Sequence, residues 1–318
     1  MGFFRNATVT SLLLAMLGTS VAPAFPGKAE AQTVKLSPRA IDERINDLKA
    51  QLKRQGVATT SIDSSFMDEN FGLETRMFEA KRRCPGLMNY EWFRCEHDVP
   101  SKIERAPALF QKHKSLFEEV ESRYGLNVQV GFGMWAIETN FSESKDSPFL
   151  GRYNPFNVLV TLYVFTDKKK FAVQQLVELY KWVRKTNRYM FDLRSSYMGA
   201  IGILQFLPLS LNNYYVGRSG DIAKADPFDL DDAIFSMGNY LIRNGWDPSQ
   251  KYITRDSKNW NSILRYNRWD CYVMGVLEIG DSLRFADIPE MQQPLMPASI
   301  LDPGIMCVNS KQTSKKRQ

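Results

Sequence analysis

The sequence predicts a mainly α-helical globular domain, preceded by a helical extension and followed by an extended tail. Three observations carry this. Apolar residues recur at three- and four-residue spacing in segment after segment, strand-like alternation is scarce, and Pro289, Pro294, Pro297 and Pro303 interrupt the last part of the chain. With 318 residues, 44% of them hydrophobic, the chain can bury a sizeable core. A charged fraction of 24% argues against global disorder.

Residues 1–31 read as a signal peptide. Arg5 gives a positive start, Ala7 to Ala22 is mostly apolar, and Ala29-Glu30-Ala31 fits the small-x-small cleavage pattern, so the mature chain starts at Gln32. The apolar run is short for a span and is followed by Pro23 and Pro26. A periplasmic protein without a membrane span after cleavage is the expectation.

Residues 32–100 form the expected helical extension. Ile41, Ile45, Leu48 and Leu52 mark an amphipathic helix over 39–55, and a polar stretch runs on to about Asp68. Residues 101–285 form the main domain. Ser101-Lys102-Ile103-Glu104 has the form of a capping box, opening a helix that carries Leu109, Phe110, Leu116, Phe117, Val120 and Tyr124 and stops at Gly125. Val128 to Phe141 is apolar on nearly every side, which predicts a buried helix. Further helices are expected over 171–184, over 231–243 with a stop at Asn244-Gly245, and over 260–284. Residues 286–318 form the tail, which ends in a basic run and can wrap back through Cys307.

The net charge of +6 is unevenly placed. Lys311, Lys315, Lys316 and Arg317 contribute four positives and the leader one more, so the mature body carries about +1. No basic stripe runs through the fold, which argues against nucleic acid as a partner. His97 and His113 are the only histidines. That removes most zinc hydrolase motifs and makes a Ser-His-Asp triad improbable. A Gly-rich phosphate loop is missing too. The chemistry left is that of carboxylates, with no metal or cofactor expected. Export permits disulfides, and of three possible pairings Cys84–Cys95 and Cys271–Cys307 join the cysteines close in sequence; four buried thiols are the alternative.

Three segments could carry chemistry. Glu138 follows Phe132-Gly133-Met134-Trp135-Ala136-Ile137, and a carboxyl in such surroundings is poorly solvated and stays protonated near neutrality, as a general acid must. From this window alone, an exposed helical glutamate or a buried one paired with Lys or Arg is the plainer reading. Ser196 through Pro208 is rich in Gly and Ala, which would let backbone approach a ligand, and Gln205 offers a donor and an acceptor; a tightly packed turn is the plainer reading. Arg265-Tyr266-Asn267-Arg268-Trp269-Asp270-Cys271-Tyr272 supplies aromatic faces and an amide, suited to sugar rings or simply to a core.

In this order the segments resemble the lytic murein transglycosylases of the membrane-bound B type. The matching residues are Ile137-Glu138-Thr139-Asn140-Phe141, Ser196 through Pro208, Asn239-Tyr240-Leu241 with Gly245-Trp246, and Arg265 through Tyr272. The resemblance implies a lysozyme-like fold for 101–285, peptidoglycan strands as substrate, and cleavage to 1,6-anhydromuramyl products. It puts the catalytic acid/base on Glu138, a carboxyl-positioning serine on Ser196, and substrate contacts on Gln205, Tyr266, Asn267 and Tyr272. Envelope proteins are possible partners. Ser142, Leu209 and Trp269 depart from the family pattern in ways that bear on the cleft. The acidic calcium loop that relatives often carry is largely lost in Gly217 to Asp226, where Arg218 and Lys224 stand, and the stretch between Trp246 and Arg265 is short. A wall-binding protein without activity, a hydrolytic muramidase and an envelope scaffold are the rival readings.

Overall fold

The computed structural model describes residues 35–79, 83–285 and 292–307. Among these residues eleven α-helices form and no β-strand. The leader, Pro289 and the basic end lie outside the described residues. No described helix is long and apolar enough to cross a membrane.

Helix α1 (Pro38–Arg54) starts at Ser37, whose Oγ accepts from the Ala40 N–H at 3.3 Å. It buries Leu48 and Leu52 against α6 (Pro155–Phe165) and α7 (Lys169–Thr186). The Tyr163 hydroxyl ties α6 to this helix by donating to Asp47 at 2.5 Å. The polar stretch that follows is not a loop but α2 (Thr59–Met67), which buries only Ile62. With a single buried anchor, its sequence shows no apolar stripe.

Helix α3 (Tyr90–Glu96) precedes α4 (Val99–Tyr124). The capping box expected at Ser101 does not form. The helix starts two residues earlier, behind Asp98 in the left-handed region (φ 50°), with Pro100 fixing the first turn. Ser101 therefore lies inside the helix, and α4 runs across position 101. Buried Lys102 donates to the His97 carbonyl, outside the helix. Gly125 ends α4 in the left-handed conformation, as its sequence suggests.

The centre of the molecule is α5 (Val128–Thr139), capped by Asn127 and buried almost throughout. The single helix expected over 260–284 is two, α10 (Lys258–Tyr266) and α11 (Asp270–Ser282), because Asn267 turns extended between them (φ −137°). Helix α11 lies directly along α5. A side chain on Gly133 would come within 2.1 Å of the Val276 carbonyl oxygen, and one on Gly280 within 2.4 Å of the Gln129 carbonyl oxygen. Only glycine permits that approach. Helix α8 (Pro208–Tyr214) packs on α7, and α9 (Leu230–Arg243), capped by Asp229, packs on α4.

Both disulfides, Cys84–Cys95 and Cys271–Cys307, are present. The second fastens the tail to the first turn of α11. The tail also accepts from the Tyr90 N–H at the Ile305 carbonyl and donates from the Cys307 N–H to the Met88 carbonyl, each at 2.8 Å.

Candidate active site

Glu138 lies in the last turn of α5, where the helix carbonyls present partial negative charge and oppose a second one. Asn140 and Phe141 turn the chain sharply after it, both in the left-handed region (φ 55° and 64°). Ser142 closes this turn. Its hydroxyl donates to the Thr139 carbonyl and meets Ser147 Oγ, both at 2.6 Å, and its own carbonyl accepts from the Trp135 indole at 2.8 Å. The departure at this position is thus absorbed by hydrogen bonds within the turn, and Ser142 does not line the recess that Glu138 lines.

Glu138 keeps an open edge on a recess while protein surrounds its carboxyl, and burial pushes its pKa up to about 8. The Tyr272 hydroxyl donates to Oε1 at 2.6 Å and works the other way, favouring the anion. Among the described residues no lysine or arginine pairs with it. The close α5–α11 packing brings these two side chains together: Tyr272 is fully buried on α11, behind the acid rather than on the wall of the recess. The ring of Tyr266 is stacked on that of Tyr272 at 6.3 Å, and its hydroxyl donates to the Leu204 carbonyl.

Ser196, Gln205, Tyr266 and Asn267 line the recess with Glu138. Ser196 and Gln205 come from a compact loop held by the bridges Tyr153–Ser195–Ile201–Phe206. The glycines of this loop serve the chain's own packing: Gly202 (φ 80°) sits against the Pro227 carbonyl, where a Cβ would come within 2.3 Å. Ser196 Oγ accepts from the Ala200 N–H at 3.3 Å, and no bond from it to Glu138 forms. Gln205 donates its amide to the Gly202 carbonyl at 2.8 Å and to the Leu150 carbonyl at 3.5 Å, and its oxygen has no partner among the described residues. Among the described residues the buried Asn267 Oδ1 also has no partner. A buried acceptor of that kind is ordinarily satisfied, so a donor on a ligand fits it.

The recess offers about 30 Å³ of space, room for one or two water-sized groups beside the acid. Among the described residues Glu138 is the only acid lining it. Sequence reasoning missed Tyr240 and Ser210, which also line it. Tyr240 stands inside one of the motifs quoted above, and Ser210 follows the Leu209 departure. Trp269 packs edge-on against Trp92 and does not line the recess. Asn239 and Trp246 brace the fold, donating to the Tyr214 carbonyl at 2.7 Å and the Gly125 carbonyl at 2.9 Å.

The comparisons with known proteins agree with this geometry. Residues 40–257 match the family model described as a transglycosylase SLT domain. The chain is 24% identical over 165 residues to the membrane-bound lytic murein transglycosylase B of Escherichia coli (strain K12), covering 51% of this chain and 44% of that protein, so the match spans less than half of that relative. The soluble lytic transglycosylase SltB1 of Pseudomonas aeruginosa superposes with a TM-score of 0.63 at 20% identity, over 76% of this chain and 98% of that one. SltB3 of Pseudomonas aeruginosa, solved in complex with NAG-NAM-pentapeptide, gives 0.61 at 20% identity, over 77% and 79%. The Escherichia coli lytic transglycosylase Slt35, solved in complex with calcium, gives 0.58 at 17% identity, over 84% and 99%. At these identities the likeness establishes the fold, which is the lysozyme-like helical one.

A calcium ion does not fit the loop before α9 in this chain. Arg218 places its guanidinium against Asp231 at 2.6 Å and against Glu119, and Asp232 accepts the backbone N–H groups of Arg218 and Asp226 at 2.7 and 2.8 Å. The carboxylates are satisfied by the chain's own donors. The helical frame, the recess with its lone acid, and a family match over more than two thirds of the sequence lead to one assignment: the chain belongs to the transglycosylase SLT domain family.

Proposed function

We propose that the chain is an exported lytic transglycosylase that cuts the β-1,4 bond between N-acetylmuramic acid and N-acetylglucosamine in peptidoglycan, with Glu138 as its acid and base. The observation that carries this reading is the recess in which Glu138 is enclosed and, among the described residues, is unpaired with a cation and the only lining acid. Glycosidases that add water or form a glycosyl-enzyme need two carboxylates, whereas a single one suffices when the substrate supplies the nucleophile.

In the proposed reaction, protonated Glu138 gives its proton to the glycosidic oxygen as the bond to the muramyl anomeric carbon breaks. The muramyl N-acetyl group stabilises the positive charge at that carbon. Glu138, now anionic and held by the Tyr272 hydroxyl, takes the proton of the muramyl 6-hydroxyl as that oxygen closes on the anomeric carbon. The product is a 1,6-anhydro sugar, no water is consumed, and Glu138 ends protonated as it began. Asn267 Oδ1 and Gln205 Oε1 are acceptors suited to substrate N–H or O–H groups, and Ser196 completes the wall beside the acid. The leader sequence makes the periplasm the site of action.

Mass analysis of purified sacculi digested by the wild type and by Glu138→Gln tests the reading. The wild type releases anhydromuropeptides and the variant does not. Reducing-end products from the wild type would instead mark a hydrolase, and the absence of any product a wall-binding protein.

A further inference from the structure

A second, open site runs along α7. Between α2 and the C-terminal half of α7 runs an open groove of about 880 Å³. Helix α2 lines it with Thr60, Ser61, Ser64 and Ser65, a row of hydroxyls on one face. The opposite wall carries Lys181, Arg184, Lys185 and Arg188, against one acid, Asp68. Lys181 pairs with Glu178 at 2.7 Å and Arg188 with Asp226 at 3.5 Å. Arg184 and Lys185 are exposed and pair with no acid among the described residues. Their place at the C-terminal end of α7 suits the helix dipole, which accounts for their sign there. It does not account for the groove wall below them. Tyr180 is 8% exposed and lines the groove, yet among the described residues its hydroxyl closes no hydrogen bond of normal geometry; the Ser65 hydroxyl beside it donates to the Ser61 carbonyl at 2.9 Å. A buried phenol without a partner is rare.

Hydroxyls, an ammonium, a guanidinium and a phenol are all donors, and together they suit an anion with several acceptor oxygens. We infer that this groove binds the carboxylates of the peptide stems carried by wall glycan, and so holds a strand while its glycosidic bond lies at Glu138. This rests on the reading that wall glycan is the substrate. The two sites are close along the chain. Phe191 lines the groove and Ser196 lines the recess, five residues apart, so the backbone between them spans at most about 18 Å. A single strand with its stem can reach both.

Titration calorimetry on the full chain carrying Glu138→Gln measures binding without turnover. The probes are stem-bearing glycan fragments from sacculi, the same fragments stripped by an amidase, and the released stem peptides. Adding Arg184→Glu with Lys185→Glu weakens binding of the stem-bearing fragments and of the free stems by about tenfold or more. The charge-conserving exchange Arg184→Lys with Lys185→Arg keeps it within about twofold, Tyr180→Phe weakens it several-fold, and the stripped fragments bind all variants alike. Equal affinity of the parent and the charge-reversed variant for stem-bearing fragments, at an unchanged melting temperature, overturns the inference. The lytic reading fails separately, through the products of the wild-type digest, because binding of released stems needs no intact cleft.

Discussion

Two glutamates on neighbouring helices each accept a hydrogen bond from a tyrosine hydroxyl, and they are built for opposite ends. Glu278 on α11 receives the Tyr90 hydroxyl at 2.5 Å and also the Arg94 guanidinium, with nitrogens at 3.0 and 3.1 Å. Glu138 on α5 receives the Tyr272 hydroxyl at 2.6 Å and no cation. The first arrangement neutralises its charge and straps α3 to α11. The second leaves burial unopposed except by one phenol, so the proton is held up to about pH 8. A tyrosine beside a carboxyl says little about its role; the presence or absence of a guanidinium separates strut from acid.

The sharpest way to break this contrast is to remove each carboxylate in turn and follow turnover. Glu138→Gln lowers release of anhydromuropeptides by about 10²–10⁴-fold or more, the usual scale for a general acid. Glu278→Gln leaves the chemistry in place, with at most a few-fold change once the protein is shown to be folded. Comparable losses in both would erase the distinction.

Stability separates them next, and with opposite sign. The pKa of Glu138 rises on folding, from 4.5 to about 8. Its favourable contribution is fully present below about pH 4.5 and is lost as pH climbs to about 8, because the unfolded chain releases the proton first. Glu138→Gln removes that loss and is more stable than wild type at pH 7, by at most roughly 3 kcal/mol. Glu278→Gln strands Arg94, whose side chain is 31% exposed, and costs about 1–3 kcal/mol. Denaturant melts at pH 5 and pH 7 measure both; a Glu138→Gln variant with no gain at pH 7 contradicts the raised pKa.

The smallest effect concerns the phenol. Its bond favours the anion of Glu138, so Tyr272→Phe raises the pKa further and moves the alkaline fall of the rate from about pH 8 to higher pH. The maximal rate drops by about tenfold as the anionic form loses a donor worth about 1–2 kcal/mol. A pH–rate profile of unchanged shape would show that Tyr272 does not set the acid. The matching Tyr90→Phe change leaves that profile where it is.

The sequence made the acid legible because a single charge inside Val128 to Phe141 has no solvent to turn to. It also made the helices with strong stripes legible, α1, α7 and α9 among them. Helix α2 was hidden by its hydroxyl-rich surface. The start of α4 was misplaced because Pro100 and the left-handed Asp98 outweigh the serine at position 101. The break between α10 and α11 was invisible because aromatic residues on both sides keep up an apolar density that hides the extended Asn267. Tyr272 could be placed only in three dimensions: whether it lines a cleft or stands behind the acid depends on how near α11 comes to α5, and composition says nothing of that distance.

That nearness has a consequence for how the acid can be tuned. Gly133 touches the Val276 carbonyl with no room for a methyl group. An alanine there acts as a wedge: it prises two rods apart five residues before the carboxyl it affects, and the phenol draws back from its acceptor with no atom of either partner altered. Proton affinity in this molecule is thus partly a matter of spacing between backbones, and the residue that governs it is the one with no side chain at all.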